Sequence, residues 1–183
     1  SFAPDPGTVI KPGPLTQFYK QFPADNPQPV TFSVFGTEKT VMIDPESIEA
    51  SQVLIEREAR VLSAYKQNRD DAWRRYYRMI YRDSFSRLEP VFAVVAEEIR
   101  KQNIPEEKIP EQLLAWIQTF EYSRIDAFSD LLAPLASAVQ ETGDCDARGL
   151  LYVILLRYFG IDSILLVSSQ YQHSVVGVDT PGK

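Results

Sequence analysis

One cysteine and one histidine are all that the 183 residues supply of those two types. A lone Cys excludes an intrachain disulfide. One Cys and one His also fall short of the three or four ligands that a zinc site of that type needs. The redox compartment is left open, since a single thiol suits both the cytoplasm and bacterial export. Positive charge is scarce as well: 19 Lys and Arg against 25 Asp and Glu leave a net charge of −6. That is the wrong sign for a surface whose main partner is nucleic acid phosphate. Long hydrophobic runs are missing too. The longest, residues 150–156, is far short of the roughly 20 apolar residues of a membrane-spanning helix, and it reads as a buried helix.

What is present suffices for a core. Apolar residues make up 44% and charged residues 24%, ordinary proportions for one domain, or one domain with a helical extension. Seven of the 13 prolines fall in residues 1–29, which rules out a helix there and suggests an extended arm. The chain opens at Ser1, so a removed leader or a trimmed start is expected.

Three segments follow from the patterning. Residues 1–45 combine the Pro-rich arm with a hairpin. Val30, Phe32 and Val34 alternate with Thr31 and Ser33, residues 36–39 make the turn, and 40–43 return. Residues 46–120 are helical. Asp44 is positioned as N-cap ahead of Pro45, and a first helix runs over 46–65. A second carries Trp73, Tyr76, Tyr77 and Ile80 on one face, an aromatic stripe that reads as core. A third covers 88–101 with Val91, Val94, Val95 and Ile99 inward, and a fourth carries Leu113, Leu114, Trp116 and Ile117 beyond a break bracketed by Pro105 and Pro110. The basic stripe of Arg74, Arg78 and Arg82 reads as a solvated helix face. Residues 121–183 form the third segment: a polar loop over 122–130, a short apolar helix over 131–139, then a turn at Gly143-Asp144. A helix over 145–159 is stopped by Gly160, and strands follow over 161–168 and 172–178.

Cys145 stands at the first turn of that buried helix, with Asp144 as its N-cap. Backbone N–H groups there lack helical partners, and their positive potential favours a thiolate, the attacking form of the residue. The same N–H groups can donate to an oxyanion. A nucleophile needs a base within hydrogen-bond reach, and His173 is the one histidine. A strand returning antiparallel to its neighbour brings it back to the level of the helix start. Asp146 and Arg148 are expected to cap and pair near that start. A carboxylate at Asp146 opposes thiolate formation, so Asp146 is not an activator.

The run Gly143-Asp144-Cys145-Asp146-Ala147-Arg148 precedes Leu155-Leu156-Arg157-Tyr158-Phe159-Gly160-Ile161 and then His173-Ser174-Val175-Val176-Gly177-Val178. In order and spacing it resembles the core of the transglutaminase-like cysteine peptidases. The resemblance covers about residues 110–178 and leaves the first hundred residues without a specific counterpart. Together with the helical reading of residues 46–120, it implies an α+β fold: a helical N-terminal portion, then a papain-like core with the nucleophile at the start of a central helix packed on an antiparallel sheet. Cys145 and His173 are then the catalytic pair, and no cofactor or metal is implied. Papain-like sites often place a Gln upstream of the nucleophile in the oxyanion hole, and Gln140 is the candidate, though at an unusual spacing. The family also carries an acid or amide on the strand after the His strand. Asp179 is the sole acid after His173, but six strand residues carry it about 20 Å away. The third member is therefore expected beyond Lys183, past a turn at 180–182, in a chain truncated at its C-terminus. Three functions fit: a peptidase or amidase working through a thioester, a protein-glutamine acyl transferase that replaces water with an amine, and an inactive relative that binds a peptide. The implied partner is a protein or peptide, and the resemblance leans towards an exported or periplasmic bacterial protein.

Overall fold

The alternation around Phe32 folds as strand β1 (Gln28–Val34) in a computed structural model that describes residues 26–65, 69–168 and 170–179. The expected arm over residues 1–25 and the turn at 180–182 lie outside the described residues. β1 pairs antiparallel with β2 (Thr37–Ile43), with Val30 opposite Val41 and Phe32 opposite Lys39. The turn is tighter than expected. Phe35 (φ 51°) and Gly36 (φ 81°) form it alone, the two positive φ values that a two-residue hairpin requires. An aromatic residue seldom accepts such a φ, but the Phe35 ring stands edge-on to Trp116 at 5.8 Å, which ties it to the core. Phe32, Val34, Val41 and Ile43 face inward.

Helix α1 (Pro45–Ala64) begins as the sequence indicates, with Asp44 accepting from the Glu46 N–H at 2.9 Å. α2 (Arg69–Arg87) and α3 (Glu89–Lys101) follow, then a short 3-10 turn (Glu106–Lys108) and α4 (Ile109–Gln118). Pro110 lies inside the first turn of α4 and does not close the break; that position has no helical hydrogen bond to lose. Leu114 is exposed, and Val94 is only partly buried. α5 (Pro134–Gln140) starts later than expected because Pro134 opens it. α6 (Cys145–Tyr158) ends at Gly160, φ 75°, with the Ile161 N–H turned back to the Leu156 carbonyl at 2.9 Å. β3 (Ser163–Ser168) and β4 (His173–Val178) then pair antiparallel, Ser168 opposite His173 and Ser163 opposite Val178.

The described residues thus form a mixed α+β structure of six α-helices and two two-stranded antiparallel sheets. One buried cluster runs through hairpin and helices alike, joining Phe32, Ile55, Ile80, Val95, Leu113 and Leu135 to α6. From Leu150 to Leu156 every α6 side chain is buried, the pattern of a helix enclosed on all sides. No helix among the described residues is long and apolar enough to cross a membrane.

Candidate active site

The turn ahead of Cys145 is held from three directions. Glu141, at φ 52°, ends α5 in the left-handed region. The Ser137 hydroxyl donates to the Thr142 carbonyl at 2.6 Å. The chain leaving α4 runs alongside, with Glu121 N–H on the Glu141 carbonyl at 2.8 Å and Gly143 N–H on the Glu121 carbonyl at 3.0 Å. Gly143 has φ 153°, and a Cβ there would lie 3.0 Å from both the Ala147 Cβ and the Ser137 Oγ. Asp144 is buried and accepts from the Ala147 N–H at 2.9 Å. Burial pushes its carboxyl above the usual carboxylate range despite that bond. The expectation that Asp146 caps the helix is corrected: Asp144 has the extended backbone that swings a carboxylate over the first turn, whereas Asp146 is already helical. Among the described residues Arg148 forms no ion pair with a carboxylate there either. Its guanidinium donates to the Phe120 carbonyl at 3.3 Å and lies over the Tyr122 ring, 5.3 Å from its centroid.

Gly149 stands one helical turn after Cys145 and so shares its face of α6. A Cβ on Gly149 would sit 3.0 Å from Leu165 Cδ1 and 3.6 Å from both Ser174 Oγ and Val176 Cγ2. The bare backbone therefore lets the β3–β4 hairpin close onto the helix just behind the sulfur. His173 opens β4, directly after Gln172 at φ 47°. Cys145 and His173 line a single cleft of about 900 Å³. Cys145 is half-buried and His173 exposed. The strand alternates, so His173 and Val175 share the outward parity while Ser174, 6% exposed, packs towards α6. Among the described residues no hydrogen bond joins the thiol to the imidazole. The thiol instead points to Asp146 Oδ1 at 3.7 Å.

The opposite wall comes from α2. Tyr76 and Ile80 of the aromatic stripe are buried as expected, but Trp73 and Tyr77 are half-buried and line the cleft. Their rings stack at 5.9 Å, and the Tyr77 hydroxyl donates to Asp146 Oδ2 at 2.8 Å. Burial and the Asp146 charge raise the Tyr77 phenol well above its ordinary value. The sequence pattern marks Tyr77 only as an apolar-stripe residue. The available hint is its position beside Tyr76, at the edge of the stripe, where a polar tip can leave the core. Arg69, Arg74 and Arg124 line the opening together with Asp70 and Asp130. Arg74, Arg78 and Arg82 are all exposed, and Arg74 pairs with Asp71.

Two other sequence candidates lie elsewhere. Gln140 is the exposed last residue of α5 and does not line the cleft. Asp179 follows the far end of β4, where its N–H donates to the Asp162 carbonyl at 2.8 Å. No group of three or more His, Cys, Asp or Glu residues suited to a metal ion occurs among the described residues. No family model, curated protein or solved structure matches the chain.

Proposed function

We propose that the chain is a thiol-dependent hydrolase of peptide or amide bonds with a transglutaminase-like, papain-like core, Cys145 being the nucleophile and His173 the base. The observation that carries this reading is the shared cleft: the one thiol and the one imidazole of the chain line the same opening, on the Gly149 side of α6. His173 takes the thiol proton, and Sγ attacks the substrate carbonyl carbon. The unpaired N–H groups of the first turn of α6 receive the oxyanion. His173 then passes its proton to the leaving amine as the C–N bond breaks. A water molecule, deprotonated by His173, attacks the thioester, and the C–S bond breaks to restore the thiol. For this transfer the exposed imidazole has to turn towards the sulfur within the cleft, as thiol–imidazole contacts tighten in a substrate complex.

The lack of a hydrogen bond between thiol and imidazole favours a second reading, a cleft that binds a peptide without cleaving it. Iodoacetamide separates the two, because Cys145 is the only thiol that can be labelled. The hydrolase alkylates faster than free cysteine at neutral pH, and His173→Ala slows it roughly tenfold or more, as thiolate character is lost. A rate equal to that of free cysteine and indifferent to His173 leaves the binding module. Peptide-amide assays with and without a primary amine then tell hydrolysis from acyl transfer, and Cys145→Ala abolishes both while preserving the fold.

A further inference from the structure

Asp146 holds an uncomfortable position for a residue beside a nucleophile. Its carboxylate is the next side chain after the sulfur, and it accepts from the thiol. The structure divides that carboxylate between two donors. Oδ1 faces the Cys145 thiol at 3.7 Å, and Oδ2 takes the Tyr77 hydroxyl at 2.8 Å. Tyr77 belongs to α2, in the helical segment that the sequence resemblance does not reach, and it stacks on Trp73 in the cleft wall. A half-buried phenol held against a carboxylate stays protonated, and therefore remains a donor, across the accessible pH range.

We infer that Tyr77 and Asp146 are a positioning pair for Cys145: the Tyr77 hydroxyl pins the carboxylate at Oδ2, so that Oδ1 holds the thiol in one orientation. The geometry stands alone, while its consequence for turnover rests on the hydrolase reading above. Two effects of opposite sign follow. Removing the carboxylate frees the sulfur. Removing the phenol leaves the whole carboxylate to the thiol.

The test is the alkylation rate of Cys145 in the full chain at one neutral pH, with melting temperature and near-ultraviolet circular dichroism confirming the fold of each variant. Asp146→Asn speeds alkylation several-fold, because a carboxylate no longer holds the thiol. Tyr77→Phe slows it several-fold. The double variant matches Asp146→Asn alone, because the phenol acts through the carboxylate; Asp146→Asn thus rescues Tyr77→Phe. Tyr76→Phe, on the same helix, removes a buried hydroxyl bonded to Ser129 of the loop after α4; it leaves the rate unchanged and controls for structural damage. An unaltered rate in Tyr77→Phe, or single effects that simply multiply in the double variant, overturns the pairing. Repeating the set with His173→Ala keeps the two ideas apart. Rescue without any His173 dependence sinks the hydrolase reading and leaves the pair. His173 dependence without rescue does the reverse.

Discussion

Gly143 and Asp144 show how little freedom the residues before the sulfur have. At Gly143 a methyl group meets two obstacles at 3.0 Å, one of them the Ala147 Cβ, which is fixed to the helix, on a backbone at φ 153°. Gly143→Ala is expected to destabilise the chain by about 2–3 kcal/mol in urea unfolding. Asp144→Ala removes the cap and costs about 1 kcal/mol. Asp144→Asn keeps an acceptor for the Ala147 N–H and sheds a charge that burial disfavours, so its urea midpoint stays near that of the parent. Far from the site, Glu98 is buried under Lys39, Gln102 and Thr37. The Lys39 ammonium above all holds its carboxyl down to about 2. A carboxyl depressed in the folded state stabilises above its unfolded pKa of about 4.3 and loses that contribution as pH falls. The urea-midpoint gap between the parent chain and Glu98→Gln should therefore be widest above about pH 5 and close by about pH 2. A gap that does not change with pH would show that the ion pair contributes nothing.

Among the elements, Gly149 decides whether helix and hairpin meet. The β-branched side chain of Gly149→Val would push against Leu165, Ser174 and Val176 together. Overpacking of that kind costs about 1–3 kcal/mol. The hairpin should lift from the Cys145 face of α6 and carry His173 away, so the alkylation rate falls to that of His173→Ala while helical circular dichroism persists. A rate that still depends on His173 would mean that this contact does not set the site. Asp44, Asp144 and Gly160 mark the helix ends correctly because a cap is a local contract between a side chain and three or four neighbouring residues. The strands around His173 follow from their own composition. The turn expected over 36–39 falls at Phe35 and Gly36 instead, because the positive φ of Phe35 is secured by Trp116, more than 80 residues later. Tyr77 misleads for the same reason. Periodicity places it on the inward stripe of α2, but only tertiary docking decides that this stretch of the stripe ends at a cleft and not in the core.

At the scale of the whole molecule, the helices of residues 45–118 and the segment carrying Cys145 and His173 are not separable by packing. Phe92 of α3 stacks on Tyr158 at the end of α6 at 4.2 Å. Trp116 of α4 donates to the Ser33 carbonyl in β1 at 2.7 Å. The Tyr152 hydroxyl of α6 reaches the Pro110 carbonyl at 3.0 Å. Glu58, 1% exposed, is held by Arg57 and by Arg75 of α2. A single core of this kind unfolds as one unit, since no part can leave without exposing the apolar face of its neighbour. Far-ultraviolet circular dichroism reports mostly the helices. Tryptophan fluorescence reports Trp116 in the core and Trp73 in the cleft wall. Their urea transitions should coincide, and Phe92→Ala should move both together by about 3–5 kcal/mol, although it lies on α3, outside the cleft. Transitions that separate, with Trp73 and the thiol environment changing first, would mean instead that the cleft opens as a local unit on a stable helical base. The pinning of Asp146 by Tyr77 would then be an intermittent contact and no longer a fixed part of the wall.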